Sequence, residues 1–157
     1  MLGRTYDREV CSAARALEVA GERWSLLLLR NAAFAGVTRF GDFQQRLGVA
    51  PNILSARLEH FVDEGLMSVA VGASGHSEYH LTPKGLDFKP VIMALTAWGD
   101  RWAAPDGAPI AFGHVGCDGH VSVALKCDGC RDEVDGRTVT AAPTAAMAKA
   151  RKRRGLR

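Results

Sequence analysis

Apolar residues recur at every third or fourth position through most of the first hundred residues, which is the spacing of amphipathic α-helices. The first such face consists of Val10, Ala14, Leu17 and Ala20 and ends near Gly21. Residues 24–35 are apolar on most sides, as in a central buried helix, and a brief helix over residues 42–47 ends at Gly48. Residues 36–39 form a short connection or a minimal strand. The pattern therefore predicts three helices in the first third of the chain.

A fourth helix is predicted to begin at Pro51, because the N–H that proline lacks would be unpaired at a first helical position. Its apolar face consists of Leu54, Leu58, Phe61 and Val62, and its opposite face of Asn52, Ala56, Glu59 and Asp63. Residues 66–71 and 78–81 are β-like and are joined by a glycine-containing loop, which predicts a hairpin. The last helix is apolar at Phe88, Val91, Ile92, Leu95, Trp98 and Trp102.

This order of helices followed by a hairpin and a long helix predicts a winged helix-turn-helix. The fold class is mainly α with a small β-hairpin wing (α+β) and a small C-terminal β/loop extension. Residues 1–104 form the predicted DNA-binding and dimerisation domain, and residues 105–140 form the Cys/His-containing extension. Residues 141–157 are a basic tail without an apolar face, which predicts a frayed helix or disorder.

Composition excludes several classes of protein. No stretch approaches 18 apolar residues and the N-terminus has no apolar core typical of a signal peptide, so we expect a cytoplasmic protein that does not contact membranes. The net charge is +3, but residues 1–104 carry 11 basic and 11 acidic side chains and the excess lies in the tail. Charge alone is therefore weak support for nucleic-acid binding. No Ser/His/Asp set, paired carboxylates or phosphate loop has useful spacing, so an enzyme is not expected.

Several segments also occur in an order that resembles a known family. They are Cys11, Gly21-Glu22-Arg23-Trp24, Arg39-Phe40-Gly41-Asp42-Phe43, Pro51-Asn52-Ile53-Leu54-Ser55-Ala56-Arg57-Leu58, Glu64-Gly65-Leu66, Glu78-Tyr79-His80-Leu81-Thr82-Pro83-Lys84-Gly85 and Ala97-Trp98-Gly99. Together they resemble the HxlR-type winged helix-turn-helix transcriptional regulators, which are related to MarR-type regulators. The resemblance implies a homodimer that binds palindromic operator DNA, most often as a repressor, with terminal helices at the dimer contact.

Two positions depart from the family pattern. Ala50 stands where the family usually has Ser or Thr before the proline, and it can provide no side-chain cap for the helix. The predicted wing loop has only His76 where many members carry Arg or Lys. A wing contact with the minor groove is therefore less expected here than in those members.

The candidate DNA-binding residues lie on the fourth helix, at the start of the helix-turn-helix and in the wing. They are Arg39, Pro51, Asn52, Ser55, Ala56, Arg57, Glu59 and His76. Asn can pair with adenine, and Arg can bind guanine or phosphate. The alternative is an ordinary solvated helix face, and Arg57 has the further alternative of an ion pair with Asp63 or Glu64.

The candidate dimer interface combines the first and last helices. Its residues are Val10, Ala14, Leu17, Val91, Leu95, Trp98 and Trp102. The stripe on the last helix is longer than packing within one small domain requires, and two tryptophans near a helix end favour a partner surface. Packing within the core of a single chain is the alternative.

Cys11 precedes the first helix, where a thiol is expected to be more reactive because thiolate is favoured near a helix N-terminus. The family resemblance implies a sensor of oxidants or electrophiles, whereas most unpaired cysteines are small buried apolar residues. A small-molecule inducer is a further candidate partner.

The extension carries a Cys/His series typical of a tetrahedral zinc site. The candidate ligands are Cys117, His120, Cys127 and Cys130, with His114 as the alternative to His120. Such zinc would be structural, since four protein ligands leave no open position, and no cofactor is required otherwise. The alternative is a hairpin with incidental Cys and His.

These features predict a sequence-specific, homodimeric DNA-binding transcriptional regulator, most often a repressor in this class. The alternative function is a winged-helix protein-interaction module without specific DNA binding, which the neutral domain and the weakly basic wing favour.

Overall fold

The computed structural model describes residues 5–7 and 9–155. Its helices are α1 (Ser12–Ala20), α2 (Ser25–Ala35), α3 (Phe40–Leu47), α4 (Pro51–Asp63), α5 (Pro83–Leu86), α6 (Lys89–Trp102) and α7 (Ala145–Arg153). Its strands are β1 (Met67–Val71) and β2 (Ser77–Leu81), and a 3-10 turn covers Gly136–Thr138. The chain forms two compact units: one runs to Lys89 and resumes at Thr144, and the other is Pro90–Pro143. The α+β winged helix-turn-helix prediction is confirmed.

The core of the first unit is built from the apolar faces that the sequence pattern identifies. Its fully buried side chains include Leu28, Leu29, Phe43, Leu54, Leu58, Phe61 and Leu66. These residues come from α2, α3, α4 and the start of the wing, so each helix contributes one face to the same apolar centre. The core thus fixes how α4 lies against α2 and α3.

The turn between α3 and α4 depends on glycine. Gly48 ends α3 with φ of 61°, in the left-handed region that glycine adopts without a steric penalty. Val49 follows it and is 3% exposed, which anchors the turn in the core. Ala50 then adopts an extended conformation and α4 begins at Pro51 without a side-chain cap, as predicted.

The wing is a two-stranded antiparallel hairpin with Val69 opposite Tyr79. The segment before α3 contacts this hairpin: Arg39 forms an isolated β-bridge with Glu78, and the Tyr79 amide donates to the Thr38 carbonyl at 2.7 Å. Residues 36–39 are thus a short connection that carries a single bridge. This bridge joins the helix-turn-helix to the wing.

The second unit begins earlier than the predicted boundary at residue 104. α6 belongs to it, because Met93, Ala97 and Asp100 on this helix line a cavity together with the extension. The extension contributes Ile110, Ala111, Phe112, His120, Val121, Ser122 and Val123 to the same lining. Contacts along one face of α6 thus draw the helix into the second unit.

The C-terminal tail adopts the first of its two predicted alternatives. Residues 145–153 form a helix, because alanine favours helix and Thr144 caps its start by accepting from the Met147 amide at 3.3 Å. Beyond the helix, the Arg154 guanidinium donates to the carbonyls of Asp7 and Glu9 at 3.1 and 2.9 Å. The tail is therefore tied to the segment that precedes α1.

Within the described ranges, the model contains no helix that is both long and apolar enough to cross a membrane.

The uncapped start of α4 yields a stability prediction. Ala50→Ser would supply an oxygen that accepts from an amide in the first turn, so the free energy of unfolding should rise by about 0.5–2 kcal/mol. Urea denaturation of the two proteins measures this change. Ala56→Ser is the matched control, because Ala56 is exposed in the helix interior and should not gain stability. Equal stability of the wild-type protein and Ala50→Ser would contradict the prediction.

Candidate nucleic-acid interface

The outer face of α4 is exposed along the whole helix. The exposed residues of this helix are Pro51, Asn52, Ile53, Ala56, Glu59 and Asp63. Ile53 is 41% exposed although it is apolar, and the sequence prediction did not include it. Its position next to Asn52 could have identified it, since an exposed apolar side chain can contact a thymine methyl group. The first turn of α4 therefore presents the side-chain amide of Asn52 between the apolar side chains of Pro51 and Ile53.

The side chains of Ser55 and Glu59 are hydrogen-bonded to each other. The Ser55 hydroxyl donates to Glu59 Oε1 at 2.9 Å, one helical turn along α4. A carboxylate in this position repels phosphate but can accept from the amino group of cytosine. The two predicted contact residues thus lie on the outer side of α4 as one hydrogen-bonded pair.

Arg57 turns away from the outer face. Its side chain is 13% exposed, and Nη1 lies 3.8 Å from Glu22 Oε1 in the turn between α1 and α2. The intramolecular alternative was therefore right in kind, but its expected partners Asp63 and Glu64 were wrong. The partner differs because the flank of α4 faces the end of α1, where the His60 ring also lies 3.1 Å from the Val19 carbonyl.

Arg39 is held by the wing. Its Nε and Nη2 both donate to Glu78 Oε1, at 3.1 and 3.0 Å, while His80 Nε2 lies 3.5 Å from the other oxygen of the same carboxylate. The Arg39 side chain remains 47% exposed. Glu78 therefore partly neutralises the cation that was predicted to bind phosphate.

His76 lies at the exposed tip of the wing, as predicted. The Gly72 amide donates to its carbonyl at 2.9 Å, which closes the loop between β1 and β2. A cavity beside the loop is lined by Arg39, Phe40, Gly41, Asp42, His76, Ser77 and Tyr79. The wing loop and the start of α3 thus share one surface.

Cys11 caps α1. Its Sγ accepts from the Ala14 amide at 3.4 Å, and the residue is half-buried. This position agrees with the expected thiol at a helix N-terminus. A sensing role for Cys11, and an inducer, remain predictions.

The predicted dimer residues divide between exposed and buried positions. Val91, Leu95, Trp98 and Trp102 are 50%, 51%, 62% and 64% exposed along α6. Leu17 is 51% exposed, and Val10 is half-buried just before α1. The prediction that Ala14 belongs to the dimer interface was wrong. Ala14 is 5% exposed because its face of α1 packs into the core, so it is not available to a partner.

The candidate zinc ligands lie in two pairs. His114 Nδ1 is 3.3 Å from Cys117 Sγ, and the side chain of Cys130 hydrogen-bonds to Cys127. In the part of the chain that the structure describes, no three metal-ligating side chains form one cluster. The four predicted ligands therefore do not converge on one point in this structure. Each turn brings together only the two side chains that it carries itself.

With this geometry established, comparison with known proteins identifies the family. The model of the HxlR-like helix-turn-helix family matches residues 19–107, which include α2 to α6 and the wing. The chain belongs to the HxlR-like helix-turn-helix family. The relatives of this chain are HTH-type transcriptional regulators. The chain is therefore a helix-turn-helix regulator and not an enzyme.

Similarity extends beyond the winged part. The HTH-type transcriptional regulator Rv3095 of Mycobacterium tuberculosis is 42% identical over 135 residues, which cover 84% of this chain and 85% of the relative. YtfH of Escherichia coli, another HTH-type regulator, is 30% identical over 93 residues, covering 57% of this chain and 73% of its own. Rv3095 therefore also shares part of the extension.

Two solved structures are also similar to this chain beyond the winged part. PA1607, a candidate transcription factor, superposes with a TM-score of 0.77 at 34% identity and covers 88% of this chain and 99% of its own. PA1374 from Pseudomonas aeruginosa, described in the same terms, has a TM-score of 0.59 at 34% identity over 91% of this chain and 99% of its own. The winged fold and much of the extension thus recur together.

The pairing of Arg39 with Glu78 yields a testable prediction. In Glu78→Gln the Arg39 cation loses its charged partner, so affinity for random-sequence DNA should rise. The slope of log affinity against log salt should steepen by up to about 0.9 if Arg39 gains one phosphate. Fluorescence anisotropy across a salt series measures both.

The control for this variant is Glu64→Gln, which removes a carboxylate 3.9 Å from Lys84 Nζ, beside the end of α4. It changes the net charge equally without touching Arg39. Identical effects of the two variants would show that general charge, and not release of Arg39, is responsible.

Proposed function

We propose that this protein is a sequence-specific, homodimeric DNA-binding repressor that reads operator DNA through α4. The observation that carries the proposal is the orientation of this helix: Leu54, Leu58 and Phe61 on its apolar side are fully buried, while its first turn presents Asn52 and Ile53 outward. A helix in this position can enter the major groove, which is about 12 Å wide.

The chemistry of the exposed first turn supports base readout more than phosphate binding. Asn52 can pair with adenine, Ile53 can contact the thymine methyl group, and Ala56 leaves room for close approach one turn later. Arg39 and the wing tip at His76 are the candidate contacts to the flanking backbone. Because Arg39 is engaged by Glu78 and Arg57 by Glu22, we expect a small nonspecific component of binding.

The exposed stripe on α6 supports the homodimer. Val91, Leu95, Trp98 and Trp102 recur at helical spacing on one face, and each is at least half exposed. Tryptophan side chains carry large apolar areas and are enriched at the centres of interfaces. A second copy of the chain presents the same stripe, and two-fold pairing would set half-sites about 34–36 Å apart along the DNA.

Substitution of Asn52 tests the DNA-reading role. Asn52→Ala should lower affinity for the operator by about 5-fold to 150-fold, since one bidentate base contact is worth about 1–3 kcal/mol. Affinity for random DNA should change little. Anisotropy titrations with a fragment from upstream of the protein's own gene and with a shuffled fragment measure the difference.

The matched control is Asp63→Asn, which changes an exposed residue in the last turn of the same helix and should cause no loss. If the wild-type protein with reduced thiols prefers no operator fragment over random DNA, the protein-interaction alternative is favoured instead.

A charge in the exposed stripe tests the dimer. Leu95→Glu should convert the protein to a monomer at micromolar concentration, because it places a carboxylate in an interface that excludes water. Sedimentation velocity measures the mass of the species. Val71→Glu is the control: Val71 is 77% exposed on the wing and should leave the mass unchanged. A dimeric Leu95→Glu, or a monomeric wild-type protein, would contradict the proposal.

A further inference from the structure

The extension lacks the apolar core that normally holds a small fold together. Between residues 105 and 143, all of which the structure describes, no side chain is buried, and Phe112, Cys127 and Val134 are only half-buried. Val115 is 95% exposed. Segments shorter than about 40 residues usually need a disulfide, a metal or a partner to remain folded.

Despite this missing core, the extension is folded into two similar hairpins. In the first, Gly113 pairs with His120 and the Val121 amide donates to the Phe112 carbonyl at 2.8 Å. In the second, Lys126 pairs with Glu133 and the Val134 amide donates to the Leu125 carbonyl at 2.9 Å. Each hairpin tip carries two side chains that can bind a thiophilic metal.

The first tip places an imidazole beside a thiol. His114 Nδ1 lies 3.3 Å from Cys117 Sγ, which also accepts from the Gly119 amide at 3.4 Å. Zn–N and Zn–S bonds of about 2.0–2.1 and 2.3 Å at the tetrahedral angle require a separation of about 3.6 Å. The observed pair is within a few tenths of an ångström of that value. His120 instead takes part in the backbone pairing of the hairpin.

The second tip places two thiols side by side. The Cys127 thiol is hydrogen-bonded to the backbone of Cys130 and Gly129 and to the Cys130 side chain. The turn closes through Arg131, whose amide donates to the Cys127 carbonyl at 3.0 Å and whose φ is 69°. Among the described residues Arg131 is the one non-glycine with positive φ, and such strain persists where the surroundings require that conformation.

We propose that the extension is a structural zinc module in which His114, Cys117, Cys127 and Cys130 of one chain bind a single Zn²⁺. Each hairpin tip supplies a preformed half-site, and the ion joins the two. Binding would release the thiol protons and supply the folding free energy that the missing core does not. Residues 122–124 connect the two hairpins, and Zn²⁺ binding would draw together two pairs of ligands that lie apart in this structure. The proposal is independent of DNA binding.

Metal analysis of full-length protein, purified with reduced thiols and without chelator, tests it. We expect about one zinc per chain in the wild-type protein and in His120→Asn, and less than about a tenth of that in Cys127→Ser and His114→Asn. His120→Asn is the matched control because it removes a histidine from the same hairpin. The proposal would be overturned if the wild-type protein contained no zinc after refolding with excess zinc. It would also be overturned if His114→Asn retained zinc while His120→Asn lost it.

Two further measurements separate ligand loss from misfolding. Co²⁺ added to the reduced, metal-free wild-type protein should give an absorption spectrum typical of tetrahedral S₃N coordination. His120→Asn should preserve this spectrum and His114→Asn should alter it. Chelation should increase proteolysis between residues 105 and 143 while leaving the winged part intact. An octahedral cobalt spectrum, half an ion per chain, or protease resistance without metal would overturn the single-chain site.

Discussion

The burial of one side of α4 is the constraint on which the other features of the winged domain depend. Leu54, Leu58 and Phe61 are fully excluded from solvent, and truncating any one of them would cost about 2–5 kcal/mol, a large part of the stability of a domain this size. Because these three positions fix the rotation of the helix about its axis, the opposite residues have no choice but to face outward. The surface that we propose to read DNA is therefore a consequence of core packing.

The two arginines that were predicted to contact DNA are each paired with a carboxylate of the same chain: Arg39 with Glu78, and Arg57 with Glu22. Such exposed or partly exposed pairs contribute little to stability, but they reduce the number of phosphates the protein can neutralise. If the protein reads DNA through α4 as proposed, its binding would depend more on base contacts than on phosphate neutralisation.

Much of the fold could be predicted from sequence because helical periodicity and turn glycines are local signals. The positions of α1 to α4 and of the hairpin follow from them, as does the uncapped start at Ala50. The partners of Arg57 and Arg39 could not be predicted, since they come from segments distant in sequence that only tertiary packing brings together. Ala14 illustrates a second limit: periodicity identifies an apolar face but does not tell whether a core or a partner covers it. Ile53 was missed for a different reason, since it lies outside the periodic apolar face and only its position next to Asn52 could have identified it.

α6 has two different faces. Its stripe of Val91, Leu95, Trp98 and Trp102 is open, while Met93, Ala97 and Asp100 lie against the extension. Any change in the extension that shifts or frees those three residues also alters the helix that carries the stripe. Folding of the extension and self-association of the chain would then be thermodynamically linked. A condition that favours folding of the extension would make the free energy of self-association more favourable. The extension would then affect self-association although it is distant in sequence from α4.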